Sequence, residues 1–92
     1  MVLPGMHELS IANAVIDAVR KEMTRQPRAR LKKVGLRIGE FAGIDDSSLR
    51  FCFEVLVRDT EFRAAALDIE RSPRDELDLS YLEVEEDEPD SH

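Results

Sequence analysis

The sequence predicts an α+β fold, a two-layer sandwich in which two helices pack on one face of a small three-stranded mixed sheet. Two observations support this. Apolar residues recur at three- and four-residue steps in two stretches, which is typical of amphipathic helices. In three other stretches apolar and polar residues alternate, which is typical of half-buried strands. The predicted order is helix, strand, helix, strand, strand.

The first half of the chain contains the clearest helix and the clearest strand. A helix is predicted from Leu9 to about Thr24, where Pro27 stops the run. A strand follows over Leu31 to Ile38 and ends at Gly39. The apolar helix positions share one face: Leu9, Ala12, Val15, Ile16, Val19 and Met23.

The second half begins with a shorter helix over 47–57, with Asp45 or Asp46 as its N-cap. Alternation over 65–70 and again from Leu77 predicts two strands joined by turn residues 72–75. We expect these strands to form an antiparallel hairpin, and a right-handed helical crossover makes the first two strands parallel if they are neighbours. The alternation slips at Tyr81 and Leu82, which indicates either a β-bulge or a strand that changes its partner face. The sequence does not fix the strand order.

Composition bounds the class of protein. A chain of 92 residues with 42% apolar and 36% charged residues fits one small domain. Residues 1–40 carry eight basic against four acidic side chains, and 41–92 carry five against sixteen, which gives +4 and −11 and a sum of −7. This polarity disfavours nucleic acid as a partner. No apolar run is long enough for a membrane span. We expect a cytoplasmic protein.

The domain organisation is predicted as three parts. Residues 1–5 contain Pro4 and Gly5 and are expected to form a flexible leader. The folded domain covers 6–84. The acidic stretch 85–92 has little apolar surface to bury and is predicted to be a disordered tail.

The stretch Met6-His7-Glu8 is the candidate site. Neutral imidazole is the commonest protein metal ligand, so His7, at the N-terminus of the predicted helix, is a candidate ligand. The alternative is that His7 simply caps or flanks the helix. Glu8 is interpreted as a first-turn charge favoured by the helix dipole rather than as a side-chain ligand. The single cysteine, Cys52, is expected in the core, and the chain has no thiolate cage and no catalytic set typical of an enzyme.

Several strings together make the chain similar to the HypA/HybF family of nickel metallochaperones. They occur in the family's order over about residues 6–86, and five strings in register are far more specific than any one of them. The strings are MHELSI at 6–11, RIGEFAGI at 37–44, LRFCFEV at 49–55, LDIE at 67–70 and LEVEE at 82–86.

The resemblance implies delivery of Ni(II) to the large subunit of [NiFe]-hydrogenase, and in some organisms to urease assembly, through a nickel-handling GTPase. It also implies the ligands. His7 supplies the imidazole, Met6 the terminal amine, and the His7 and Glu8 amides the remaining nitrogens. Four in-plane nitrogen donors suit square-planar Ni(II). Binding is expected to be transient, because the metal must be passed on.

Two features depart from the family pattern. Residues 1–5 precede Met6, and a peptide nitrogen there cannot act as an amine, so the pattern favours Met6 as the working start. The family inserts a zinc-binding lobe with two Cys-x-x-Cys pairs where this chain has only 72–75. Zinc is therefore not expected. The alternative function is a metal-free interaction module, and the sequence leaves open whether two copies pair through a sheet edge as a homodimer.

Overall fold

The computed structural model describes residues 7–86, and the side chains from Glu8 onward. The five elements are helix α1, His7–Thr24, strand β1, Ala29–Gly39, helix α2, Asp46–Val57, strand β2, Ala66–Ser72, and strand β3, Leu77–Glu86. This confirms the predicted order and the α+β class. The predicted leader 1–5 and Met6 lie outside the described residues, as do residues 87–92 of the predicted tail.

The sheet has the order β2-β1-β3, with β1 in the centre. β1 and β2 are parallel, as the crossover through α2 predicts. The predicted hairpin between β2 and β3 is wrong, because β3 pairs antiparallel with β1 and lies on the opposite edge from β2. Alternation reports which face of a strand is buried but carries no information about its neighbour. The long, largely buried β1 takes the central position.

The short connection from β2 to β3 crosses the end of β1, and Gly39 makes this possible. The Gly39 amide donates to the Glu76 carbonyl oxygen at 2.8 Å, and the Glu40 amide donates to the Ser72 carbonyl oxygen at 2.7 Å. A Cβ atom at Gly39 would lie 2.2 Å from the Arg74 carbonyl oxygen. Since that atom belongs to the backbone, a side chain here would displace the crossing.

The helices cover one face of the sheet and bury a single apolar core. At the centre of the core, Val34 and Ile38 of β1 and Leu49 of α2 have no exposed surface. Cys52 is half-buried and packs against this core. The remaining core residues that come from the two helices are Ile11, Ala12, Val15, Ile16, Val19, Phe53 and Val57.

β3 contains the predicted bulge, one residue earlier than expected. Leu79 pairs with Leu36 and Tyr81 with Gly35, so Ser80 is the extra residue. The bulge lets Leu79 and the later apolar residues pack on the core while Tyr81 lies on the opposite face. The sequence had placed Leu79 and Tyr81 on the same side.

β3 also extends past the predicted domain boundary at residue 84. Glu86 pairs with Ala29, and the Glu85 carboxylate lies 2.9 Å from the Arg30 guanidinium. The first two residues of the predicted acidic tail are therefore part of the sheet, and basic Arg30 of β1 stands opposite Glu85. Between residues 7 and 86, no helix is long and apolar enough to cross a membrane.

Candidate metal site at the start of the first helix

The candidate site lies where the N-termini of α1 and α2 meet. α1 begins at His7, two residues before the predicted start, so His7 and Glu8 occupy the first helical turn. The first amide groups of a helix have no acceptor within the helix. The backbone nitrogens of both residues are therefore free of intrahelical bonds. Met6 and the His7 side chain, both predicted as nickel donors, lie outside what the structure describes.

The Glu8 side chain joins the two helices. It is only 5% exposed, and its Oε2 atom accepts a hydrogen bond from the Asp45 backbone nitrogen at 3.1 Å. A buried carboxylate needs such a partner, since desolvating an unpaired charge is costly. The sequence predicted a first-turn charge, and the structure adds a contact to a residue 37 positions away. The carboxylate thus fixes the start of α1 against the loop before α2.

Asp45 is the N-cap of α2, as one of the two predicted alternatives. Its carboxylate accepts from the Ser48 backbone nitrogen at 2.8 Å. This hydrogen bonding to Ser48 holds the pKa of Asp45 below its ordinary value, and the positive charge of Arg71 acts in the same direction. Both effects favour the ionised form of this carboxyl group.

Arg71 of β2 holds the loop between β1 and α2 at both ends. Its Nη1 atom donates to the Gly39 carbonyl oxygen at 2.9 Å, and its Nη2 atom donates to the Ile44 carbonyl oxygen and to Asp46 Oδ1, each at 2.5 Å. The planar guanidinium can serve several acceptors at once. The loop that carries Asp45 is thus fixed from the sheet.

Sequence reasoning missed Arg71. Its position at the end of an alternating strand looks like any solvated basic residue, and its acceptors are 25 to 32 positions away in the chain. Two of those acceptors are backbone carbonyl groups. Every residue type has such a group, so the sequence does not show which residues accept these bonds. No local signal marks Arg71.

The described side chains do not form a conventional metal cage. From Glu8 to Glu86, no three histidine, cysteine, aspartate or glutamate side chains converge on a common point. The predicted site differs in kind, since it uses backbone nitrogens and one imidazole. Among the nearby carboxylates, Glu8 is bonded to a backbone amide, Asp45 caps a helix and Asp46 pairs with Arg71.

Comparison with known proteins places this chain in one family. Residues 6–76 match a family model described as hydrogenase/urease nickel incorporation, metallochaperone, HypA. The hydrogenase maturation factor HypA of Chlorobium limicola is 45% identical over 65 residues, covering 71% of this chain and 56% of that protein. The hydrogenase maturation factor HybF of Klebsiella pneumoniae is 35% identical over 68 residues, covering 74% of this chain and 60% of that protein.

Solved structures agree with these matches. The solution structure of the Ni metallochaperone HypA from Helicobacter pylori aligns with a TM-score of 0.57 at 27% identity, covering 71% of this chain and 56% of that one. A second HypA solution structure aligns with a TM-score of 0.61 at 20% identity, covering 83% and 71%, and supports the fold alone. The chain spans little more than half the length of the curated relatives. With the family model matching most of its residues, the chain belongs to the HypA family of hydrogenase and urease nickel-incorporation metallochaperones.

Proposed function

We propose that this protein is a nickel metallochaperone for the maturation of [NiFe]-hydrogenase, and that it binds Ni(II) at the start of α1. The observation that carries the proposal is the position of the family match, which begins at Met6, the first residue of the Met-His-Glu stretch. A related solved structure is itself described as a Ni metallochaperone. The proposed role is carriage of the metal, with no catalytic step.

The proposed donors are the His7 imidazole, the backbone nitrogens of His7 and Glu8, and the amine of Met6 when the chain begins there. Two observations support this set. Both amides lie in the first turn of α1, where no acceptor within the helix competes for them. The Glu8 carboxylate is already bonded to the Asp45 nitrogen, so Glu8 offers its backbone nitrogen rather than its side chain. A flat set of nitrogen donors suits square-planar Ni(II).

The proposed partners follow from the family. Ni(II) would be bound transiently and passed to a nickel-handling GTPase and the hydrogenase large subunit. The family description also names urease, whose assembly is a second candidate destination. Zinc is not expected in this chain, because Cys52 is its only cysteine and thiolate zinc sites use several cysteines.

The test is nickel binding by the protein that begins at Met6. We expect about one Ni(II) per chain with the yellow, diamagnetic signature of a square-planar site, and no stoichiometric zinc by elemental analysis of the same sample. His7→Ala is expected to abolish nickel binding. His92→Ala is the matched control, since His92 is the only other histidine, and it should bind nickel normally.

The chain that retains residues 1–5 tests the amine donor. It is expected to bind nickel more weakly and with a changed spectrum, because the Met6 nitrogen is then a peptide amide. Equal nickel uptake by wild type and His7→Ala would reject the proposed site. If no form bound nickel, the metal-free interaction module would replace the carrier.

A further inference from the structure

The outer face of the sheet, opposite the helices, has charges that alternate from strand to strand. The central strand β1 presents basic Lys33 and Arg37 on this face, while β3 presents acidic Asp78 and Glu83 directly opposite them. On the other side of β1, Glu70 of β2 stands opposite Arg37. Opposite charges in such cross-strand pairs stabilise pairing. On this face, the charged side chains are therefore acidic on β2, basic on β1 and acidic on β3.

Two ion pairs between neighbouring strands support this pattern. The Arg37 guanidinium lies 3.4 Å from the Glu70 carboxylate, and the Arg30 guanidinium lies 2.9 Å from the Glu85 carboxylate. These side chains are about half exposed, so each pair contributes little to stability by itself. Each pair favours the strand neighbour that the structure shows.

The two edges of the sheet differ. At the β2 edge, the Arg50 guanidinium of α2 donates to the Leu67 carbonyl oxygen, and α2 packs beside the strand. β3 pairs with β1 along one edge, and within residues 7–86 no strand pairs with its other edge. A free strand edge is a template for a further strand.

An apolar groove runs beside β3 on the core face of the sheet. It has a volume of about 310 Å³ and lies between α1 and the first half of the strand. An added strand next to β3 would send alternate side chains to opposite faces. One set would enter this groove and the other would lie beside the acidic residues of β3. The groove is lined mainly by the apolar residues Ile11, Ala14, Val15, Ala18, Leu77 and Leu79, and Asp78 also contributes to the lining.

We propose that the free edge of β3 binds an extended partner segment in which apolar and basic residues alternate. Main-chain hydrogen bonds along the edge would supply affinity, and the groove and the acidic face would supply specificity. A basic partner strand continues the observed order of charges across the sheet. This inference does not depend on nickel binding.

A second copy of this chain is a poorer occupant. Pairing β3 with β3 of another molecule would bring Asp78, Glu83 and Glu85 close to the group of acidic residues on the copy. Like charges directly opposite one another destabilise a strand pair. The acidic residues therefore disfavour self-pairing and favour a basic partner.

The test is titration of the isotopically labelled full chain, without nickel, with a blocked octapeptide of alternating valine and arginine. In NMR spectra, the backbone amide chemical shifts are expected to change along β3 and on the side of α1 that faces the groove. A peptide of the same composition with all valines before all arginines has the same charge without the alternation, and it should bind at least several-fold more weakly. An alternating valine and glutamate peptide should not bind.

Two pairs of variants locate the site. Glu83→Lys reverses a charge on β3 and should weaken binding about threefold or more, whereas Glu54→Lys, on the exposed face of α2, should not. Ala14→Phe fills the groove from an exposed helix position and should also weaken binding. Its control is Asn13→Phe, at the adjacent exposed position outside the groove lining. Because both helix positions are exposed, these variants should fold.

Three results would overturn the inference. Equal binding of the alternating and segregated peptides would show only general attraction to an acidic protein. Shift changes confined to β2 would place the site on the other edge. Concentration-dependent shifts along β3 without peptide, together with a dimer in solution, would identify a second copy as the occupant.

Discussion

The two faces of β1 are stabilised in different ways. On the core face, Val34, Leu36 and Ile38 are at most 1% exposed and pack beneath the helices. On the outer face, Gly35 is covered by a single ring, that of Tyr81, whose hydroxyl group donates to the Asp68 carboxylate at 2.5 Å. Asp68, Gly35 and Tyr81 are in register across all three strands. The core face is stabilised by the apolar side chains that it buries. The outer face is stabilised by contacts between side chains that lie in register on the three strands.

The difference separates stability from recognition. Burial of apolar surface is the main favourable contribution to folding, and it is concentrated on the core face. The outer face carries half-exposed pairs whose contributions are small but whose partners are specific. We therefore expect core substitutions to change the free energy of unfolding, and outer-face substitutions to change local properties first.

The largest expected effect is that of Leu36→Ala, which removes a side chain that is only 1% exposed. The cavity should lower the free energy of unfolding by about 2–5 kcal/mol. The measurement is denaturant unfolding, in which the midpoint should fall while the dependence of the unfolding free energy on denaturant concentration stays unchanged. Arg37→Ala, the next residue on the opposite face, is the matched control and should cost about 1 kcal/mol or less. Similar losses for the two variants would contradict the contrast between the faces.

An intermediate effect is expected for Gly35→Ala. A Cβ atom here would lie 2.0 Å from Cε1 of the Tyr81 ring, so the ring must move away. The loss of its packing and of the bond to Asp68 should cost about 1–2 kcal/mol. In a Tyr81→Ala background the same change should be neutral or slightly stabilising, because alanine loses less backbone entropy than glycine on folding. Equal costs in both backgrounds would show that the ring is not what excludes a side chain.

The last effect on stability, which is confined to alkaline pH, is expected from ionisation of Tyr81. The hydrogen bond to Asp68, with desolvation and the nearby carboxylates, raises the pKa of Tyr81 to about 12 from 10.0. A pKa raised in the folded state gives a contribution to stability that is complete below about pH 10 and is lost as the pH rises towards about 12. Tyr81→Phe should abolish this dependence.

Tyr81 is the only tyrosine, so absorbance of the phenolate reports its ionisation without overlap. Asp68→Asn should shift the midpoint back towards the ordinary value near 10. Glu54→Gln, far from the ring on α2, serves as the control. An unchanged midpoint in Asp68→Asn would contradict the assigned cause.

Much of the fold could be predicted because the deciding signals are local. The periodicity of apolar residues predicted the five elements, the aspartates at 45 and 46 marked the start of α2, and the change of parity near Tyr81 indicated an irregularity in β3. Each signal lies within a few residues of the feature it describes. The Met-His-Glu stretch was likewise visible, and its assignment as a nickel site stays a prediction.

The contacts around the candidate site could not be predicted in the same way. The bond from the Asp45 nitrogen to Glu8 and the three bonds from Arg71 join residues 25 to 37 positions apart. Several of these partners are backbone atoms, so the sequence does not record them. The hairpin prediction failed for a related reason, since nothing local shows that β1 lies between β2 and β3.

By itself the sequence determined the elements, the buried face of the helices and of the first two strands, and the family to which the chain is similar, because side-chain chemistry and spacing act over short distances. Only the tertiary structure decided the strand order, the hydrogen bond from the Asp45 nitrogen to Glu8 that joins the starts of the two helices, and the position of the acidic strand β3 at an edge of the sheet. These depend on which segments the folded chain brings together, and that is settled by packing the whole core at once.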